Sequence, residues 1–393
     1  MFTKEKIQKY QKGILIGANQ ITVKNEKSVE YEIIASRNIF SLQNLLIQNI
    51  CQGNKAVIYI SPNVNRIYGI GIRQYFETHF SKDFFHIEVI PTTELNKSLE
   101  NVARICSVAR EQHLDRKGIM IAIGGGVLND IVGFAASIYR RGIRYIRVCT
   151  TLVGQIDVAV GIKVGANFQD SKNFIGAFYP PMASINDLTF LSTLPQREIR
   201  CGIAETIKMA IVSDHELFSL VENHWQKLFQ KDFDDPHVTS ILAKTKLRMI
   251  EELYDNLYET KLERIVDFGH SFSSRIESLS NYSIQHGEAV AMDMALSSKI
   301  AQMLTKISDK DYFCIVRLIS NVGLKLFDEK YCEAEELWYA LYEMHLHRGG
   351  KINLVIPSKI GEAIFIKDIK DISVEFIQEA VSSLKRDAKS LES

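Results

Sequence analysis

"IAIGGGVLNDIVGF", Ile121 to Phe134, decides how this chain is read. A short apolar run ends in three glycines, and helical spacing of apolar residues begins directly after them. A strand, a glycine turn and a helix N-terminus together make a corner suited to phosphate. Glycine lets the backbone approach a ligand, and the first turn of a helix offers unpaired N–H groups. The spacing is neither GxGxxG nor a Walker P-loop. On this motif alone, a tight strand-to-helix turn accounts for the glycines as well as a ligand does. Asp130, four residues after the last glycine, and the backbone entropy lost in ordering three glycines weigh toward a ligand.

Outward from this corner the chain alternates. "KAVIYI" (55–60), "FFHIEVI" (84–90), "GIMIAIG" (118–124) and "RYIRVCT" (144–150) read as strands. Between them "NVNRIYGIGIRQYFETHF", "SLENVARICSVAREQH" and "LNDIVGFAASIYR" carry helical spacing, and "VEYEIIAS" (29–36) adds an earlier strand. The alternation predicts an α/β, Rossmann-like domain with a parallel sheet over residues 1–190. After Phe190, "REIRCGIAETIKMAIV", "HELFSLVENHWQKLF", "VTSILAKTKLRMIEELY" and "GEAVAMDMALSSKIAQML" all read as helices, so residues 191–393 form a mainly α-helical domain.

Composition excludes several classes. Lys plus Arg and Asp plus Glu both number 47, which gives no basic surplus for nucleic acid or an anionic membrane. No apolar run approaches the ~20 residues of a membrane span. "MFTKEKIQKYQKG" at the N-terminus lacks the apolar core of a secretory signal. The six cysteines form no CxxC pair, which predicts reduced thiols in a cytoplasmic protein.

A second constellation lies in the helical half: Glu205 in "GIAETIKMA", His270 in "VDFGHSF" and His286 in "IQHGEAVA". One carboxylate and two imidazoles are a standard donor set for a catalytic zinc with an open fourth position. A lone histidine on an apolar segment is more often a satisfied core residue, and spacing does not show whether these three converge.

Taken in order, "AIGGGVLNDIVGFAASIYRRGIRYIRVCTTLVGQIDVAVGIKVGANFQDSKNFIGAFYPP", "LPQREIRCGIAETIKMAIV", "VDFGHSF" and "HGEAVAMDMALSS" resemble the sugar phosphate cyclases, the superfamily that includes dehydroquinate synthase. The resemblance runs from about Val29 to near Ile366. It implies an NAD-binding Rossmann-like domain, an α-helical domain that binds metal and substrate, an active site in the cleft between them, and a homodimer. The implied reaction oxidises one hydroxyl of a sugar phosphate with NAD as temporary acceptor and eliminates phosphate. It then re-reduces the ketone and closes a carbocycle by intramolecular aldol addition. A divalent metal, zinc or cobalt, orients the hydroxyls.

The resemblance also implies residue roles. Gly124, Gly125, Gly126 and Asp130 lie against the NAD pyrophosphate, Glu94 and Lys97 contact the adenosine side, and Thr150, Thr151 and Leu152 line the nicotinamide half. Asp157, Lys163, Lys172 and Asn173 stand at the reacting end. Arg141 and Lys208 grip phosphate and hydroxyls, with Lys246 beside them; Lys244 or Arg248 are alternatives to Lys246. Glu205, His270 and His286 bind the metal.

Departures from the family pattern narrow the substrate. Ser61 stands where many relatives have an aspartate for a ribose hydroxyl. Asp267, Ser274 and Glu263 replace the asparagine, second histidine and arginine that dehydroquinate synthases carry around "FGH". A substrate carboxylate would meet like charge there, so a neutral sugar phosphate is expected. "YRRGI", "GANF", "SKNFIGAFYPP" and "HGEAVAMDMALSS" lean toward the valiolone synthase branch, which cyclises sedoheptulose 7-phosphate to 2-epi-5-epi-valiolone. Glu288 separates the chain from the "HGHAV" cyclases of the desmethyl-4-deoxygadusol and 2-epi-valiolone branches. Ser274 and Gly349 depart from the valiolone branch itself. Dehydroquinate and 2-deoxy-scyllo-inosose synthases, an NAD-dependent polyol dehydrogenase and a non-catalytic NAD- and metal-binding protein remain as alternatives.

Overall fold

Three short antiparallel strands, β1 (Gln8–Tyr10), β2 (Ile14–Ile16) and β3 (Ile21–Val23), are paired in that order within a first unit, Met1–Tyr31. The second unit is Glu32–Ser393. The structure, a computed structural model, describes residues 8–10, 14–16, 21–23, 28–169 and 171–392. The N-terminal stretch inspected for a secretory signal lies largely outside the described residues. Among the described residues, no helix is long and apolar enough to cross a membrane.

The second unit opens with β4 (Glu32–Ser36), α1 (Leu46–Cys51), β5 (Ala56–Ile60), α2 (Pro62–His79), β6 (Phe85–Val89), α3 (Leu99–Glu111), β7 (Ile119–Gly124), α4 (Gly126–Ile138) and β8 (Arg144–Cys149). An antiparallel pair, β9 (Lys163–Phe168) and β10 (Ser171–Phe178), precedes β11 (Ala183–Asp187). Six strands form one parallel sheet in the order β4-β11-β8-β7-β5-β6. Every residue of β5 and β7 is buried, as expected of central parallel strands covered on both faces. Alternate side chains divide between the faces. Ile119, Ile121 and Ile123 pack with Ile72, Tyr75 and Phe76 of α2, whereas Met120 and Ala122 pack with Val102 and Ile105 of α3 and Ile131 of α4. The expected α/β half is therefore present.

The chain then becomes helical: α5 (Gln196–Ser213), α6 (His215–Phe229), α7 (Pro236–Tyr254), α8 (Ser273–Leu279), α9 (His286–Met303), α10 (Asp309–Asn321), α11 (Ala334–His347) and α12 (Val374–Glu392), with a hairpin of β12 (Leu354–Lys359) and β13 (Glu362–Ile366) before the last. Leu152, Ile156 and Val160, in the segment after β8, join the core of this helical part together with Ile199, Ile203 and Ile207 of α5. The segment that leaves the sheet at its carboxyl edge is thus embedded among the helices. In open α/β sheets this edge is where ligands bind.

Candidate active site

Close helix approaches, each made possible by a glycine, assemble the site. A Cβ on Gly202 of α5 would lie 2.2 Å from Leu152 Cγ. One on Gly287, directly after His286, would lie 2.3 Å from Cys201 Cα. The missing side chains let α5, which carries Glu205 and Lys208, press against both the segment after β8 and the first turn of α9. The "VDFGHSF" loop completes the set. Gly269 has φ +75°, a region that side-chain-bearing residues rarely adopt. Asp293 of α9 holds the far end of this loop, accepting from Phe272 N at 2.5 Å, Ser273 N at 2.9 Å and Ser297 Oγ at 3.0 Å.

Glu205, His270 and His286 converge, with one donor atom from each lying within 4.8 Å of the others. His286 Nε2 is 3.2 Å and His270 Nε2 4.0 Å from Glu205 Oε1. The outer nitrogens fix the tautomers. His270 Nδ1 meets the Phe268 carbonyl at 3.1 Å and His286 Nδ1 meets Glu277 Oε1 at 2.9 Å. Both partners only accept, so each Nδ1 carries the hydrogen and each Nε2 presents its lone pair inward when the ring is neutral. Glu205 is fully buried, and neither carboxylate oxygen has a well-directed hydrogen bond, although Lys208 Nζ sits 2.6 Å from Oε2. A buried carboxylate with an unsatisfied oxygen facing two imidazole lone pairs is a donor set that fits a divalent cation.

Buried charge sets the protonation of each donor: Glu205 and His270 are already in metal-binding form, and a cation at His286 would displace the proton that ring holds. Burial would raise the Glu205 carboxyl, but Lys208 and the two imidazoles hold it well below the usual range. Burial and Lys208 push His270 down to about 3, so its ring is neutral. Burial acts to lower His286 as well, yet Glu277 outweighs it and pushes the imidazolium up to about 9. Asp157 faces the same group, its carboxyl raised by burial against the pull of Lys208.

At the glycine turn, Asn129 Nδ2 donates to the carbonyls of Gly124 and Gly125 at 3.0 and 2.9 Å. No side chain caps α4, whose N-cap is Gly125. Packing supplies part of the reason for glycine: a Cβ on Gly124 would lie 2.8 Å from Leu128 Cδ2. The tight-turn explanation therefore holds alongside the uncapped helix start, and that start fits an anionic group. Thr150 N donates to Gly124 O at 3.0 Å, Thr151 Oγ1 accepts from Gly154 N at 3.0 Å, and Leu152 is buried. Lys97 is buried, with its ammonium on Asp130 and Asn173; Glu94 accepts from Asn167 at 3.0 Å.

The cations are more fully committed than the sequence suggested. Lys172 sits 2.5 Å from Glu277 and Lys208 is spent on Glu205. Arg141 follows the end of α4, a helix about 20 Å long at ~1.5 Å per residue, and is exposed. Lys163 is also paired, 2.8 Å from Glu259, although its side chain is 60% exposed. Of the three candidates on α7, Lys244 pairs with Glu216 and Arg248 with Asp214 and Glu251. Lys246 has no ion-pair partner among the described residues, and burial lowers its pKa.

The like-charge reasoning at Asp267 needs correction. Asp267 is ion-paired to Arg264 and, at 3.0 Å, to Arg348, so its charge is compensated. Glu263 is exposed and held 2.9 Å from Lys367, and Ser274 is exposed. Glu288 turns out to be architectural: it accepts from Gln285 N at 2.9 Å at the start of α9 and grips Arg197 with both oxygens, at 2.7 and 2.6 Å. Sequence reasoning missed Glu277, Asn129, Asp293 and Arg147. The last is a fully buried arginine in β8 whose Nη1 donates to Val158 O and Gly161 O at 2.6 Å each, bracing the segment between Asp157 and Lys163. A charged residue inside an apolar strand was the available signal for Arg147.

Residues 87–201 match the family model for the 3-dehydroquinate synthase N-terminal region and residues 202–343 that for the C-terminal region. A 2-epi-5-epi-valiolone synthase of Streptomyces glaucescens is 41% identical over 360 residues, 92% of each chain. A demethyl-4-deoxygadusol synthase of Trichormus variabilis is 32% identical over 88% of this chain and 86% of that one. The solved 2-epi-5-epi-valiolone synthase of Streptomyces hygroscopicus subsp. jinggangensis, with NAD+ and Zn2+ bound, superposes with TM-score 0.88 at 33% identity, covering 93% of this chain and 99% of that one. The chain belongs to the dehydroquinate synthase-like sugar phosphate cyclases, and it is an enzyme of that family.

Proposed function

We propose that the protein is a phosphate-eliminating lyase that converts sedoheptulose 7-phosphate to 2-epi-5-epi-valiolone. The observation that carries the reading is the buried Glu205–His270–His286 set beside an uncapped glycine turn, in a chain 41% identical to a 2-epi-5-epi-valiolone synthase. Glu205, His270 and His286 would hold zinc or another divalent ion such as cobalt. Gly124, Gly125, Gly126, Thr150, Thr151 and Leu152 would hold NAD, with Glu94, Lys97 and Asp130 shaping the adenosine side. When bound, NAD would supply a reversible acceptor for the hydride of one substrate carbinol, and the divalent ion a Lewis acid beside it.

The chain's own groups bind and orient the substrate. Lys208, buried between Glu205 and Asp157, keeps its proton and offers a fixed donor to a substrate oxygen. Asp157, its carboxyl raised by burial, can accept a hydroxyl proton and return it. Arg141, Lys163 and Lys246 would meet the phosphate dianion. Asn173 and Lys172 hold the β10 wall in place through Lys97 and Glu277. No further histidine base is needed, because the leaving phosphate can take the proton released at elimination. All six cysteines are free thiols, which fits a reducing cytoplasm, and a homodimer is the assembly expected of the family.

The test offers the purified protein sedoheptulose 7-phosphate, the heptulosonate 7-phosphate acid and glucose 6-phosphate in parallel, each with NAD and zinc. Phosphate release from the first alone, an NMR spectrum of 2-epi-5-epi-valiolone and no net NADH are expected. Release only from the acid would make the chain a dehydroquinate synthase, and only from glucose 6-phosphate an inosose synthase. NADH equal to product would make it a polyol dehydrogenase.

A further inference from the structure

We infer that Glu277 is a positioning residue of the metal centre, acting through His286 and tying that centre to the β10 wall. The inference rests on the assignment of Glu205, His270 and His286 as metal ligands. Glu277 lies on α8, is 2% exposed, and has one partner for each carboxylate oxygen. Oε1 meets His286 Nδ1 on α9 at 2.9 Å and Oε2 meets Lys172 Nζ on β10 at 2.5 Å. One side chain thus joins α8 and α9, consecutive in the chain, to β10, 105 residues from Glu277 at Lys172.

A buried carboxylate is expensive unless paired, and an apolar residue would fill the same space without that penalty. What an apolar residue would not do is hold a ring. An imidazole can turn over about its Cβ–Cγ bond and present either nitrogen. A carboxylate at Nδ1 accepts only, so it fixes both the tautomer and the ring face, and leaves Nε2 aimed at Glu205 Oε1 3.2 Å away. His270 receives the same service from a main-chain carbonyl. For His286 the service comes from a side chain, which mutation can remove.

The second oxygen extends the effect. Lys172 is held by Glu277, and the next residue, Asn173, accepts from Lys97, whose ammonium also meets Asp130. A path therefore runs from Glu205 through His286, Glu277, Lys172, Asn173 and Lys97 to Asp130, four residues beyond the glycine turn, with polar contacts at every step but the peptide bond between Lys172 and Asn173.

The experiment measures zinc affinity of the full chain by competition with a chromophoric chelator, and the visible bands of the cobalt-loaded protein. Wild type, Glu205→Ala, Glu277→Ala and Glu277→Gln are compared, with circular dichroism to confirm folding. Glu277→Ala is expected to weaken zinc binding by about 10- to 100-fold and to alter the cobalt bands. Glu277→Gln retains an oxygen that can accept from Nδ1, so it should show partial rescue: a smaller loss, with bands still displaced from wild type. If Glu277→Ala does not fold, Glu277→Gln decides. Wild-type affinity and bands in a folded Glu277 variant, with binding abolished in Glu205→Ala, would overturn the inference alone. Wild-type zinc binding in Glu205→Ala would overturn the metal assignment beneath it.

Discussion

Gly287→Ala is the smallest change that should open the metal site. The added carbon would stand 2.3 Å from Cys201 Cα, 2.5 Å from Cys201 O and 2.7 Å from Cys201 Cβ. Two of these are backbone atoms, so no side-chain rotation relieves the clash. Carbon–carbon contacts settle near 3.5–4.0 Å, so α5 and α9 must separate locally by about 1 Å. Overpacking of this kind costs about 1–3 kcal/mol. The functional effect should exceed the stability effect. His286 begins α9 and Glu205 lies four residues after Cys201 on α5, so the same displacement widens the 3.2 Å gap between their facing atoms. Metal–ligand distances tolerate only about 0.2 Å. We expect zinc affinity to fall by at least about tenfold, comparable to the loss of an outer-shell partner, while the melting point drops by several degrees. Chelator competition and thermal denaturation of the same preparation measure both. An alanine variant with native zinc affinity would refute the claim that this contact sets the spacing of the ligands.

Three further outcomes follow from buried charge. Arg147→Met removes the bonds to Val158 O and Gly161 O and should destabilise the protein by about 2–3 kcal/mol, read from urea unfolding, with turnover falling as the segment bearing Asp157 loosens. Lys299 is buried 2.5 Å from Asp387, which also accepts from Tyr312 Oη at 2.7 Å. Lys299→Met should cost about 3 kcal/mol by stranding Asp387, and adding Asp387→Leu should recover most of it. Burial raises the Asp293 carboxyl from 3.8 to about 6 against the pull of its hydrogen bonds to Phe272 and Ser273. The folded state therefore holds that proton more tightly than the unfolded chain. Its contribution is fully present below pH ~4 and is lost as pH rises through 6, up to about 3 kcal/mol. Asp293→Asn should flatten that part of a stability-versus-pH curve; an unchanged slope would refute the assignment.

What the sequence revealed depended on whether the signal was local. The buried runs of β5 and β7 announce themselves because both faces of a central parallel strand are covered, and the helix over His215–Phe229 follows from apolar spacing alone. The β9–β10 pair was not anticipated. Its strands are interrupted by glycines that oppose each other, where a Cβ on Gly176 would lie 2.2 Å from Val164 O, and an alternation pattern carries no trace of that. Glu205, His270 and His286 could be named, but not brought together, because their convergence depends on two helix approaches and a loop. Which of Lys244, Lys246 and Arg248 carry ion-pair partners was likewise not legible locally, because Glu216 and Asp214 lie on or beside α6. Surplus positive charge was overestimated for the same reason: the carboxylates that neutralise Lys172 and Lys208 belong to other segments or to the ligand set itself.

The order of strands in the parallel sheet constrains how the molecule is made. β4 precedes every other strand of that sheet in the chain, yet its neighbour is β11, with Ile33 aligned to Ser184. β11 in turn rests on β8. On a ribosome, β4 emerges first and waits unpaired until β5, α4, β8 and the whole β9–β10 excursion have been synthesised. Its five residues are only half covered even in the finished fold, with the burial of an edge rather than a centre. A short, partly polar first strand is what a nascent chain can leave exposed during that wait without inviting its neighbours on other ribosomes to pair with it.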